Sequence, residues 1–148
     1  IELCSSLDEG GLTPTIGLYK SIRKYLNAAQ ALPSSSNSTR FEINCMIRCR
    51  SGDFLYDEME IDTMCEDINR FVELEEENER VDGIVFGALD SQGFIDESVV
   101  NQFMKLIPPN RIKTTFHRAF DVCADWKWCF KQIEELNIDK LLTSGQKK

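Results

Sequence analysis

The feature that most constrains the fold is a regular alternation of short strand-like runs with longer helical patterns. Apolar runs rich in β-branched or aromatic residues occur at residues 1–4, 41–47, 81–86, 112–116 and 138–143. One helical pattern separates each run from the next, which is typical of parallel βαβ units because parallel strands need a crossover connection. The sequence therefore predicts an α/β fold with five parallel strands.

Start signals accompany the helical patterns. Pro14 follows Thr13, which predicts that Thr13 caps the first helix. Asp57 and Glu60 have the spacing of a capping box, and Asp96 can cap the helix after the third strand. A Ser- and Asn-rich segment over residues 33–40 predicts a loop. In the fourth helix the predicted buried face comprises Trp126, Cys129, Phe130, Ile133 and Leu136.

Two architectures share this alternation, a doubly wound open sheet and a (β/α)₈ barrel. Neither of the glycine-rich phosphate-binding motifs that mark nucleotide-binding sheets follows a strand here. Small or polar residues instead follow every strand, and a barrel builds its site from the ends of many strands at one face. A full barrel needs about 250 residues. We therefore expect residues 1–148 to be a single incomplete domain, a partial TIM-like (β/α) barrel with about five of eight parallel strands and without its first and last strands.

Charge and composition exclude several classes of partner. A net charge of −8 without any Lys/Arg cluster argues against nucleic acid. No run of 18 or more apolar residues is present, so we expect no membrane span. The six cysteines stand in an apolar chain of ordinary domain size without a secretory signal. They are expected to be reduced thiols of an intracellular protein.

Two arginines follow the second strand. Arg48 and Arg50 each offer a planar fork of donors that suits a carboxylate or phosphate ligand. They could equally form an ion-pair network with Glu2, Asp53 or Asp121 that fixes the loops. The sequence leaves both interpretations open.

The only histidine, His117, follows the fourth strand. A histidine at a strand end with a carboxylate nearby can act as a general base or a metal ligand, although a lone histidine is often structural. The candidate catalytic residues are Glu2, Arg48, Arg50, His117 and Asp121. The candidate ligand-binding residues are Asp53, Arg118 and Ser144.

Sulfur atoms are the other candidate ligands. Cys45 and Cys49 flank Met46, and Cys4 ends the strand expected to neighbour theirs. Soft sulfur ligands select Cu(I), so Cys4, Cys45 and Cys49 form a candidate copper site. No CxxC pair occurs, and a zinc site is therefore not indicated. Any one of these cysteines could instead be a small buried hydrophobic residue.

Five ordered segments make the sequence similar to a known family. They are residues 1–6 with 9–14, 46–50 with 52–54, 82–87 with 93–96, 115–121, and 142–145. In these segments the chain resembles the CutC family, whose members are often called copper homeostasis proteins. One departure is Cys49, which stands where the family usually has proline and adds a thiol beside the site.

The resemblance implies a TIM-like barrel, a cytoplasmic location, a role in copper handling with Cu(I) as the bound ion, and a homo-oligomer. Two alternatives to a copper protein stay open from the residues themselves. One is an enzyme of unknown reaction that acts on a small carboxylate or phosphate at the barrel mouth. The other is an oligomeric binding module without catalysis.

Overall fold

The structure is a computed structural model that describes residues 1–31, 40–74, 76 and 78–145. Its strands are β1 (Glu2–Leu3), β2 (Asn44–Met46), β3 (Gly83–Phe86), β4 (Lys113–Phe116) and β5 (Lys140–Leu141). The helices between them are α1 (Ile16–Gln30), α2 (Glu58–Val72), α3 (Glu97–Leu106) and α4 (Trp126–Glu135), with short 3₁₀ helices at Leu7–Glu9 and Arg118–Val122. The predicted loop over residues 33–40 lies outside the described residues except for Arg40. None of the helices in the described ranges is long and apolar enough to cross a membrane.

The five strands form one parallel sheet in the order β1-β2-β3-β4-β5. Each strand therefore pairs with its neighbours in sequence, and the order never reverses. A doubly wound sheet reverses its strand order at a switch point, whereas a barrel adds strands sequentially. The α/β prediction is confirmed, and the arrangement is that of a partial TIM-like barrel.

The register assigns opposite faces of the sheet to alternate residues. Cys45 and Ile84 are paired positions on the face that packs against the helices in the main hydrophobic core. Met46 and Val85 are paired on the other, inner face, where they are buried but separate from that core. Continuing the inner-face register beyond the strands brings Arg48, Gly87 and His117 side by side at the carboxyl end of the sheet.

The helix caps confirm two predictions and correct one. Asp57 and Glu60 form the predicted capping box, and Asp96 accepts a hydrogen bond from the Val99 amide. The first helix is capped by Thr15 rather than by Thr13. Thr13 is engaged elsewhere, because its amide donates to the Arg48 carbonyl at 2.9 Å and its Oγ1 accepts from the Arg48 amide at 2.9 Å. Thr13 therefore ties the loop after β1 to the end of β2.

The predicted buried face of α4 is partly wrong. Cys129 and Ile133 are buried, but Trp126 and Phe130 are 51% and 44% exposed. These two rings border an open apolar depression with Leu141 of β5. Among the described residues no further strand pairs with the outer edge of β5.

Candidate functional site

A pocket of about 230 Å³ lies at the carboxyl end of the sheet, and we call it the mouth pocket. It is lined by Glu2, Leu7, Gly10, Met46, Arg48, Phe54, His117, Arg118 and Leu142. The structure thus brings together Glu2, Arg48, His117 and Arg118 from the residues selected by sequence. Of the other candidates, Arg50, Asp53, Asp121 and Ser144 are not among the lining residues.

His117 is a buried, neutral hydrogen-bond donor. Its side chain is only 3% exposed, and Nδ1 accepts a hydrogen bond from the Ala119 amide at 3.1 Å. The ring proton therefore resides on Nε2, which has no partner among the described residues. Burial, reinforced by the charge of Arg48, lowers the pKa of His117 to about 3. The imidazole is consequently uncharged near neutral pH.

Gly87 and Phe54 hold the imidazole in place. A Cβ atom on Gly87 would lie 2.5 Å from Nδ1 of His117, so only glycine admits the ring in this position. The Phe54 ring lies 5.0 Å from the imidazole centroid, and the Arg48 guanidinium carbon lies 4.8 Å from the Phe54 centroid. Sequence reasoning missed both residues as parts of the site. Gly87 could have been found, because strand pairing places it directly opposite His117.

Arg48 is a buried cation that fixes two loops. It is 6% exposed, and its Nη1 donates to the carbonyls of Glu9 at 2.9 Å and Gly11 at 3.4 Å. Its Nη2 donates to the Gly52 carbonyl at 2.8 Å. All three acceptors are neutral, and Nε has no partner among the described residues. The charge of Arg48 is therefore available to a ligand.

Glu2 and Arg118 complete the polar lining of the mouth pocket. Burial raises the pKa of Glu2. Arg118 is largely exposed and donates from Nε to Oδ2 of Asp121 at 2.8 Å. The pocket therefore combines two guanidinium groups, one neutral imidazole and one carboxylate.

Asp121 and Ser144 form a clasp between two strand ends. Asp121 accepts hydrogen bonds from Oγ1 of Thr143 at 2.5 Å and from Oγ of Ser144 at 2.7 Å. Burial acts to raise the pKa of Asp121, but the hydrogen bonds from Arg118, Thr143 and Ser144 hold it well below its usual range. The clasp ties the loop after β4 to the end of β5.

Arg50 forms the ion-pair network that the sequence left as one of two possibilities. Its Nε pairs with Oε1 of Glu60, and its Nη2 pairs with Oδ1 of Asp53 at 3.0 Å. The same Nη2 donates to the Leu55 carbonyl at 2.8 Å. The partner Glu60 was not foreseen. Arg50 and Asp53 therefore shape the loop between β2 and α2.

The three candidate copper-ligating cysteines do not form one cluster. Cys45 is fully buried on the helix-facing side of β2, and burial raises its pKa far above the usual range. Cys49 is half-buried, and the charges that act on its thiol come from Glu60 and Arg50. The described residues contain no group of three or more His, Cys, Asp or Glu side chains that could hold a metal ion. The expected shared cluster is therefore not formed, because strand alternation turns Cys45 away from the inner face.

Another sulfur-containing side chain, that of Met46, lies in the neighbourhood of Cys4. A Cβ atom built on Gly11 would lie 3.2 Å from Sγ of Cys4 and 3.5 Å from Cε of Met46. Both side chains therefore lie beside Gly11, and Met46 also borders the mouth pocket. Met46 lies on the same face of the sheet as Cys4, the position after Leu3, and was not among the site residues selected from the sequence.

The chain matches the sequence profile of the CutC family over residues 1–148. It belongs to the CutC family. A CutC family protein of Bacteroides fragilis strain YCH46 is 39% identical over 146 residues, which are 99% of this chain and 51% of the relative. The copper homeostasis protein cutC homolog of Dictyostelium discoideum is 38% identical over 137 residues, 93% of this chain and 45% of the relative.

The fold of the CutC family is also represented by an experimental structure. A crystal structure of CutC from Streptococcus agalactiae superposes with a TM-score of 0.81 at 33% identity. The match covers 99% of this chain and 63% of that structure. The chain spans about half the length of the curated CutC relatives that it matches. The resemblance to CutC is confirmed.

Proposed function

We propose that the protein takes part in copper homeostasis, as a CutC-type homo-oligomer that binds Cu(I) in the cytoplasm. Membership of the CutC family supports this role, as does the name of the Dictyostelium relative. The net charge of −8 is consistent with a partner other than nucleic acid. The chain spans about half the length of its relatives, so the role of the whole CutC protein is extended to it only as a proposal.

The observation that carries the copper proposal is that the side chains of Cys4 and Met46 both lie beside Gly11. A thiolate and a thioether are both soft ligands, and soft ligands select Cu(I) over hard cations. Cys4 is half-buried at the open end of the sheet, whereas Cys45 is sealed under the helices. We therefore assign Cys4 as the principal Cu(I) ligand and Met46 as its neighbour in the site.

Cu(I) binding at Cys4 should release a proton from the thiol. Burial, and then the charge of Glu2, raise the pKa of the Cys4 thiol. The thiol is therefore protonated near neutral pH, and Cu(I) must displace its proton. The thiolate–Cu(I) pair carries no net charge, which suits a position near Arg48 because that arginine repels free cations.

An anaerobic Cu(I) titration against a competing chelator tests this proposal. We expect about one Cu(I) per chain, and a large loss of affinity in Cys4→Ser. Cys65→Ser is the matched control, since Cys65 is also half-buried but belongs to α2. Unchanged affinity in Cys4→Ser would place the copper ligands elsewhere.

A further inference from the structure

Two side chains that line the mouth pocket carry unused hydrogen-bond donors. Nε of Arg48 and Nε2 of His117 are both buried, and neither has a hydrogen-bond partner among the described residues. Buried polar groups in native proteins are nearly always satisfied, so two unsatisfied donors on side chains that line one pocket point to a missing acceptor. The side chains that carry these donors are themselves more than nine-tenths buried.

We propose that the mouth pocket binds a small oxyanion, a carboxylate or phosphate group, between Arg48, Arg118 and Nε2 of His117. This inference goes beyond the copper proposal and does not depend on it. The ligand would lie at the carboxyl ends of the strands, where barrel proteins place their sites. An enzymatic role for the mouth pocket, one alternative that the sequence left open, would begin with this binding step.

The electrostatics favour an anion over a cation. Among the described residues, the Arg48 guanidinium donates to three neutral backbone carbonyls and to no carboxylate. A guanidinium recognises planar or tetrahedral oxyanions through charge-assisted hydrogen bonds. The imidazole stays neutral and presents an N–H group, so it adds a donor without adding charge.

The pocket also limits the size and character of the ligand. Its volume of about 230 Å³ lies below the roughly 300–1,000 Å³ of pockets for drug-sized ligands, which suits a small ligand. Leu7, Phe54 and Leu142 provide an apolar wall beside the charged groups. A short-chain carboxylate or a small phosphate ester fits these limits.

The single histidine provides a direct readout of binding. A long-range ¹H–¹⁵N spectrum of the uniformly ¹⁵N-labelled chain contains one imidazole, that of His117. Inorganic phosphate and acetate are titrated separately at pH 7, which distinguishes a phosphate site from a carboxylate site. We expect a saturable shift of the Nε2 resonance with at least one anion, while the ring keeps its neutral tautomer. The absence of a saturable shift with both anions would overturn the proposal.

Two arginine variants and a matched control test the assignment. Arg118→Gln should weaken binding by roughly fivefold because its charge is screened by solvent. Arg48→Lys keeps the charge but loses the fork, and should weaken binding by roughly tenfold or more. Arg70→Gln removes an arginine of α2 with similar exposure, 61% against 64%, and should leave binding unchanged. If Arg48→Lys does not fold, the comparison of Arg118→Gln with Arg70→Gln tests the proposal. Equal anion affinities of these two variants would overturn the assignment of the anion site.

Discussion

Lowering the pH from 7 to 5 should destabilise the fold through His117. An exposed histidine in the unfolded chain has a pKa of about 6.5, and burial beside Arg48 lowers the folded pKa to about 3. The unfolded state therefore binds the proton more tightly than the folded state does. The contribution of His117 to stability is present in full above pH 6.5 and is lost as the pH falls towards 3.

The magnitude follows from the two pKa values. Between them, each pH unit removes about 1.4 kcal/mol of stability, so the loss at pH 5 is about 2 kcal/mol. Glu60, Asp121 and Asp139 have lowered pKa values and lose their contributions at more acidic pH. Glu2 and Asp67 have raised pKa values and oppose the loss. The interval from pH 6.5 to pH 5 is therefore governed mainly by His117.

Urea unfolding at several pH values and fixed protein concentration measures this effect. The matched variant is His117→Asn, because asparagine can still accept the Ala119 amide at this N-cap but does not titrate. We expect a free energy of unfolding that falls with acidification in the native chain and stays nearly flat in the variant. The same pH dependence in both chains would show that the imidazole is not buried in the neutral form.

Further predictions concern the residues that support the fold and the mouth pocket, the binding of Cu(I), and the edges of the sheet. Gly87→Ala should lower the free energy of unfolding by about 1–3 kcal/mol, because the new methyl group overlaps His117. Gly17→Ala, in the exposed part of α1, is the control and should leave that free energy unchanged or raise it; urea unfolding compares the two variants. Asp57→Ala removes a capping box and should cost about 1 kcal/mol in the same assay. The affinity for Cu(I) should rise with pH between 6 and 8 in the chelator competition, because Cys4 must lose a proton; an affinity independent of pH would exclude a protonated thiol as the ligand. The 148-residue chain expressed alone should self-associate, because β1 and β5 leave unpaired edges; a monodisperse monomer in sedimentation would contradict this.

The sheet was predictable because its signals are local and repeat along the chain. Each apolar run gave a strand, and sequential crossovers fixed the neighbour order. The convergence of Glu2, Arg48 and His117 followed from the rule that parallel strands end at one face. Strand alternation could also have excluded Cys45 as a partner of Cys4, since Cys45 and Met46 must face opposite sides.

The features that sequence did not foresee arise where long-range contacts override local signals. Thr13 precedes a proline as a cap does, but its bonds to the backbone of Arg48 hold it outside the helix. Arg50 lies two residues after Arg48, yet past the strand end the alternation of side chains no longer applies. Its guanidinium turns to Glu60, a residue whose capping role gave no sign of a second partner.

X-ray absorption at the copper edge tests most directly whether the protein binds copper through sulfur at the open end of the sheet. The sample is the protein loaded with Cu(I) under reducing conditions, beside Cys4→Ser prepared in the same way. We expect sulfur atoms bound to copper in the native protein and fewer sulfur atoms bound to copper in the variant. Copper bound only by nitrogen and oxygen, or an unchanged spectrum in Cys4→Ser, would contradict the assignment of Cys4 and Met46.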